Sequence, residues 1–163
     1  MIAGILFEGL ILGVLLVLVC IFGIRNSAAD MVFLYHKDVQ ERCVELGYIT
    51  HEKIRRNRIL FKLFCIPGYM LYVVVCAYII NGARGFWQGF LHIFSILSVL
   101  NIIDRFVVDE LWVGHTKMWE IPGTEDLKPY INRHDKCMKW LAGTLGMMLI
   151  SAILAGIMTI FIK

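Results

Sequence analysis

A stripe of polar side chains along the third hydrophobic segment holds the residues best suited to chemistry. On a helix that turns about 100° per residue, the stripe falls within one arc of about 140°. Its members are Ser98, Asn101, Asp104, Arg105, Asp109, Trp112 and His115. Carboxylates and an imidazole support acid–base catalysis or bind a divalent ion. The candidate catalytic residues are therefore Asp109 and His115. The candidate substrate-binding residues are Asn101, Asp104, Arg105 and Trp112.

The spacing of the stripe argues against a metal centre. A metal site needs three or more converging ligands. Asp104 and His115 lie on nearly the same face, but they are about 16 Å apart along a straight helix. One rigid helix cannot bring both side chains to one ion. We therefore predict no metal and no other cofactor.

The same polar stripe also has a structural interpretation. Asp104 lies about 27 Å along the helix from Phe86, near the edge of a hydrocarbon core about 30 Å thick. Arg105 and Asp109 are i,i+4 partners that can pair along the helix. Asn101 can hydrogen-bond to a neighbouring helix. The stripe is either a polar network that holds the third span in place or the lining of a cytoplasm-facing pocket.

Four hydrophobic segments must position these groups. Of the 163 residues, 59% are hydrophobic and 18% are charged, whereas a soluble domain carries about 25% charged residues. A membrane span takes about 20 apolar residues and satisfies its backbone as a helix. The predicted spans are residues 2–24, 59–80, 86–103 (extending to about 113) and 140–162. The fold prediction is an all-α integral membrane four-helix bundle that forms a single domain over residues 1–163.

The basic residues set the predicted orientation. Cytoplasmic loops of membrane proteins carry the excess of Lys and Arg. Segments 25–58 and 114–139 hold most of the 16 basic residues, whereas the opposite side has only Arg84 and Lys163. Both segments are therefore predicted to be cytoplasmic, with both chain termini outside the cell membrane. Anionic lipid accounts for the net charge of +3, so the lipid bilayer is a predicted partner and nucleic acid is not.

The first cytoplasmic segment predicts a helical hairpin. Apolar side chains recur at spacings of four and three from Ala28 to Leu46, which indicates one helical face. Gly47 is a typical helix stop and Thr50 a typical N-cap. The helix after Thr50 is predicted to continue through Pro67 into the second span. The hairpin either rests on lipid or on the inter-span loop, or it is a docking arm for a partner or another copy.

Contacts between the spans are predicted from small and polar residues. Gly9 and Gly13 form a GxxxG pair in the first span, and Gly146 and Gly156 each follow an alanine by four residues in the fourth. These pairs favour contact between the first and fourth spans, or between copies. Near the outer end, Glu8 and His92 are candidates for a structural hydrogen bond.

The stretch 101–126 carries the one resemblance in the chain. Its pattern is Asp-x4-Asp-x5-His-Thr followed by Ile-Pro-Gly-Thr-Glu-Asp. It loosely resembles small uncharacterised bacterial multi-span membrane proteins. The resemblance implies no activity, so no catalytic residue carries over from it.

Three functions stay open, and the sequence leaves undecided whether the chain is an enzyme. The first is a non-enzymatic packing, regulatory or complex-subunit role in the membrane. The second is an inner-leaflet enzyme for a lipid or amphipathic substrate, with Asp109 or His115 as the acid–base group and Arg105 on an anionic head group. The third is a small oligomeric transporter or channel lined by the stripe. The short chain favours a homo-oligomer or a membrane-protein partner.

Overall fold

The computed structural model describes residues 2–131 and 133–162. Within this part of the chain every regular element is helical and none is a strand. The α-helices are α1 (Ile2–Ile24), α2 (Lys37–Glu45), α3 (His51–Val74), α4 (Gly85–Ile102) and α5 (Arg133–Phe161). α3 continues as a π-helix over Val75–Ile80, and α4 continues as a π-helix over Ile103–Val113. Short 3-10 helices cover Ala28–Leu34, Lys117–Trp119 and Glu125–Leu127.

Four helical segments are long and apolar enough to cross a membrane, as predicted. They are Ala3–Ile24, His51–Ile80, Gly85–Val113 and Lys136–Phe161. The second segment begins at His51 because the helix capped by Thr50 runs without a break through Pro67. Lys163, which entered the orientation argument, lies outside the described residues.

α4 makes the main helix contacts of the molecule and packs against both α1 and α5. Gly9 of α1 allows a close approach, because a Cβ atom there would lie 2.5 Å from Val99 Cβ. Gly13 faces Ile103 in the same way. The GxxxG pair of the first span therefore contacts the third span rather than the fourth. Among the described residues, no atom outside the neighbouring α5 backbone lies within 4 Å of the Cβ position at Gly146 or Gly156, so these two positions of α5 are open.

The hairpin between the first two candidate spans has the predicted caps but a different first helix. Thr50 Oγ1 accepts a hydrogen bond from the Lys53 amide at 3.3 Å, and Gly47 has the positive φ of 76° that ends α2. The single helical face predicted from Ala28 to Leu46 is wrong. The chain forms a 3-10 helix that ends at an extended Tyr35, and α2 begins only at Lys37. This break directs the Tyr35 side chain towards the loop between α4 and α5.

The hairpin packs on that inter-span loop. The Tyr35 hydroxyl donates to the Trp119 carbonyl oxygen at 3.1 Å, and its ring stacks on Tyr130 with 4.7 Å between centroids. Arg42 donates to the Gly123 carbonyl oxygen at 3.2 Å and pairs with Asp126 at 3.3 Å. These contacts correspond to the interpretation in which the hairpin rests on the inter-span loop.

The end of the helices opposite the hairpin holds a different hydrogen bond from the one considered for Glu8. Asn81, in the turn between α3 and α4, donates its amide to Glu8 Oε1 at 2.7 Å. The Tyr72 hydroxyl donates to the Glu8 carbonyl oxygen at 3.0 Å. His92 is buried, and its Nδ1 has no hydrogen-bond partner among the described residues.

Candidate functional site

The polar stripe begins on an α-helix and ends on a π-helix. From Ile103 to Val113 the backbone bonds link residues i and i+5 rather than i and i+4. The wider turn changes the angle between successive side chains, so a 100° projection fails beyond Ile103. His115 lies exposed at the end of this segment, with its Nδ1 2.7 Å from the Glu110 carbonyl oxygen. The stripe is therefore not one continuous face, and His115 is displaced from it.

Arg105 is the centre of a network of four charged side chains. Its Nη1 donates to Asp109 Oδ2 and its Nη2 donates to Asp104 Oδ2. Lys139 of α5 donates from Nζ to the same Asp109 oxygen at 3.4 Å. The Arg105 and Asp109 side chains are only 16% and 12% exposed. This charged network (Asp104, Arg105, Asp109 and Lys139) pairs its two carboxylates with two cations and connects α4 to α5.

Asn101 extends the charged network into the contact between α4 and α5. Its Oδ1 accepts from Arg105 Nε at 3.4 Å. A Cβ atom at Gly143 would lie 3.2 Å from the same oxygen, so the amide packs directly on the α5 backbone. Asn101 is 4% exposed. It is accordingly a residue of the helix contact rather than of an open binding surface.

A cavity of about 450 Å³ lies beside the charged network. All four network residues line it at one end. Most of the remaining wall is apolar and comes from α1, α3, α4 and α5 as well as the inter-span loop. Residues of that wall include Leu16, Phe61, Leu100, Val108, Trp119 and Met147. We refer to this space, with its charged end and its apolar walls, as the amphipathic cavity.

His115 belongs to a second, smaller cavity of about 350 Å³. Two ion pairs line this cavity. Lys136 pairs with Glu110, and Lys128 pairs with Glu120 at 2.5 Å. The neighbouring Glu120 carboxylate raises the pKa of Lys128 above its ordinary value. Asp109 lines both cavities. Its carboxylate turns to Arg105 and Lys139, so it does not stand free beside the imidazole.

The structure thus brings together only part of the predicted site. Asn101, Asp104, Arg105 and Asp109 meet in one network, as the network interpretation of the stripe predicts. His115 lies in the second cavity. Trp112 lines neither cavity; its ring packs edge-on against Trp119, with 5.2 Å between the centroids.

Several residues of the site were not predicted. Lys139 could have been found from the sequence. It lies just before the fourth predicted span, Asp109 lies just after the apolar part of the third, and the two residues are therefore expected at the same depth in the membrane. Matching basic and acidic residues by depth would have paired them. Tyr35 and Trp119 had no such signal, since 84 positions separate them along the chain. Burial raises the pKa of Tyr35 far above its ordinary value, so this hydroxyl stays protonated and acts as a donor.

Comparison with known protein families, curated proteins and solved structures finds no match for this chain. Among the described residues, no group of three or more His, Cys, Asp or Glu side chains is arranged to hold a metal ion. The fold and site define the chain as an all-helical protein with four candidate spans and a charged network at one end of them. The resemblance of residues 101–126 to bacterial membrane proteins stays a prediction.

Proposed function

We propose that the chain is a polytopic integral membrane protein with a non-enzymatic role, as a packing or regulatory subunit in the membrane. The observation that carries this proposal is the pairing of the stripe's charges within the chain. Ionisable groups in or beside a span are costly and are tolerated when they pair or face protein. Asp104, Arg105, Asp109 and Lys139 satisfy one another. Such a network holds helices together without a ligand.

The apolar surface supports insertion into a bilayer. Soluble monomers rarely expose contiguous apolar patches larger than a few hundred Å². In the fourth candidate span only 11% of the most apolar window is buried inside the chain. Its exposed side chains include Leu141, Leu145, Leu149, Ile153 and Ile157. In our proposal lipid tails cover this face together with a membrane partner, and the charged network lies at the cytoplasmic end.

The geometry favours this role over the two alternatives. An enzyme would need Asp109 and His115 to converge on one reacting atom, but Asp109 is held by two cations and the imidazole sits against a backbone carbonyl. A transport path would need the stripe to face an open axis, whereas Asn101 and Lys139 connect it to α5. A membrane partner is supported by the open positions at Gly146 and Gly156.

The charged network can be tested by removing single charges. Asp104→Ala is expected to lower the yield of folded protein. Arg105→Met is expected to destabilise the protein more strongly, by at most about 3–5 kcal/mol, because it leaves two carboxylates that are 26% and 12% exposed with one cation. The measurements are monodisperse yield after size-exclusion chromatography in detergent and the thermal unfolding midpoint.

Two further variants make the result specific. The triple variant Asp104→Asn, Arg105→Met and Asp109→Asn removes the three network charges of the third candidate span and leaves only Lys139, whose side chain is 33% exposed, so it is expected to recover part of the lost stability. Asp126→Ala breaks an ion pair whose carboxylate is 60% exposed and is expected to have little effect. Unchanged yield and midpoint in both Asp104→Ala and Arg105→Met would refute a structural role for the network.

A further inference from the structure

The amphipathic cavity has a volume and a wall composition that the proposed packing role does not explain. Its volume of about 450 Å³ lies in the range of about 300–1,000 Å³ found for small-molecule sites. The walls combine apolar side chains from several elements with a few polar groups at one end, which is the usual composition of such sites. Well-packed interiors contain few voids larger than a water molecule. A space of this size is therefore a candidate binding site.

A lining residue that carries a buried, unpaired hydrogen-bond donor points to the chemistry of the ligand. Trp119 lines the cavity and is 0% exposed. Its indole Nε1 is buried and has no hydrogen-bond partner among the residues that the structure describes. An indole N–H donates and cannot accept, and burying it without a partner is unfavourable. An oxygen acceptor on a bound molecule would satisfy it.

The charges of the lining determine the charge of that molecule. Asp104 and Asp109 are matched by Arg105 and Lys139, and all four side chains line the same cavity. A ligand with a net charge would enter without a free counter-ion, and a buried unpaired charge is strongly unfavourable. The lining therefore favours a neutral head group. The apolar wall formed by Leu16, Leu100 and Met147 favours an aliphatic tail.

We propose that the amphipathic cavity binds a neutral, single-chain amphiphile drawn from the membrane. A carbonyl or hydroxyl oxygen of its head group accepts a hydrogen bond from Trp119 Nε1. Its tail lies along the apolar wall. The volume, near the lower end of the range for ligand sites, fits one aliphatic chain rather than the two chains of a bilayer lipid. This binding site is independent of the packing role, because the charged network stays paired with or without the ligand.

Monolauroylglycerol is a suitable probe, since it joins a neutral head group that has ester and hydroxyl oxygens to one aliphatic chain. The full chain, labelled with ¹⁵N at tryptophan and reconstituted in phosphatidylcholine nanodiscs, is titrated with the probe. We expect the Trp119 indole proton resonance, assigned with Trp119→Phe, to move downfield and to saturate. Trp87, which is 71% exposed and lies in the first turn of α4, at the opposite end of that helix, is the internal control, and its resonance should not move.

Charged probes with the same chain test the neutral head group. Laurate and dodecylamine are expected to bind at least about tenfold more weakly than monolauroylglycerol, because each brings an unpaired charge into the cavity. Equal affinity for all three would overturn the neutral-ligand proposal. A Trp119 resonance that does not move, or that moves without saturation together with Trp87, shows only partition of the probe into lipid and overturns the site itself.

Two substitutions locate the site without relying on the indole signal. Trp119→Phe removes the donor and is expected to weaken binding about two- to tenfold, measured with radiolabelled monolauroylglycerol by equilibrium dialysis. Leu16→Phe fills part of the cavity and is expected to weaken binding further. Leu15→Phe, at a neighbouring position that is 41% exposed, is the matched control. Folded Leu16→Phe protein with the affinity of Leu15→Phe would refute the proposal even if Trp119→Phe failed to fold.

Loss of the network and loss of the cavity give different results. Unchanged stability of both Asp104→Ala and Arg105→Met refutes the structural role of the network and does not affect the binding measurements of the wild-type chain. Failure of monolauroylglycerol to bind refutes the binding site and does not affect the stability measurements.

Discussion

At the scale of single residues, Tyr35 shows how one hydroxyl joins two segments that are distant in the sequence. It is 6% exposed, and it donates to the Trp119 carbonyl oxygen while its ring stacks on Tyr130. Trp119 in turn packs against Trp112. Trp119, a residue of the amphipathic cavity wall, is thus held partly by the hairpin.

Removal of the Tyr35 hydroxyl should loosen this contact. Tyr35→Phe leaves the buried Trp119 carbonyl oxygen without its donor and is expected to cost about 1–2 kcal/mol. Faster hydrogen exchange at backbone amides near Trp119, measured by mass spectrometry, would report the change. Tyr48→Phe, at a position that is 47% exposed, is the control and should exchange as the wild type does.

The same hydroxyl predicts a dependence on alkaline pH. Burial raises the pKa of Tyr35 above the unfolded value, which is about 10. A group whose folded-state pKa is raised contributes stability that is fully present below the unfolded pKa and is lost as pH rises above it. The thermal midpoint of the wild type should therefore fall more steeply than that of Tyr35→Phe as the pH rises above about 10. Parallel pH profiles for the two proteins would contradict this role.

At the scale of the elements, the close contact between α1 and α4 depends on glycine. Gly9→Ala would place a Cβ atom 2.5 Å from Val99 Cβ and 3.2 Å from the Ile96 carbonyl oxygen. Because the backbone oxygen cannot rotate away, α1 must shift. We expect a loss of about 1–3 kcal/mol, as for other overpacked interiors, measured by thermal unfolding in detergent.

Gly156→Ala is the matched control for this contact. It adds the same methyl group at a position where no atom of another described element lies within 4 Å of the Cβ position. Alanine is intrinsically the better helix former, so this variant should be as stable as the wild type or more stable. Equal stability of Gly9→Ala and Gly156→Ala would show that α1 does not pack closely on α4.

The π-helical segment Ile103–Val113 is the element that the sequence analysis described least well. The apolar and polar positions predicted a helix there, and a helix is found. Its hydrogen-bond register was not predictable, because periodicity over so few residues does not separate a π-helix from an α-helix. The grouping of Asp104 and Asp109 with Arg105 was correct. The placement of His115 on the same face was wrong, because the π-helical turn lies between them.

At the scale of the whole molecule, the orientation in the membrane can be read from a native cysteine. Cys137 is exposed, whereas Cys20, Cys43 and Cys76 are buried. It lies in the segment predicted to be cytoplasmic, so a membrane-impermeant maleimide should label it in inside-out vesicles and not in right-side-out vesicles. Arg84→Cys in a Cys137→Ser background should give the opposite pattern. Labelling of Cys137 from the outer side would reverse the topology.

The open face of α5 predicts association with a second copy or a membrane partner. The mass of the purified complex, measured by light scattering in detergent, should be at least twice the 18.7 kDa of one chain if the partner is another copy. Gly146→Trp should then disrupt the complex, because it fills an open position on that face. Gly68→Trp, at an equally open position on α3, should not. A wild-type chain that runs as a monomer would contradict self-association.

Local features of the sequence determined the four candidate spans, the cap at Thr50 and the stop at Gly47, because hydropathy and capping depend on neighbours within a few residues. The pairing of Arg105 with Asp109 was likewise visible as an i,i+4 spacing. Only the tertiary structure decided that Lys139 completes the charged network, that Tyr35 reaches Trp119, and that a cavity remains between the helices. These features depend on which helices pack against each other, and the helices concerned are separated by tens of residues in the sequence. A local sequence pattern does not show which distant segments come into contact.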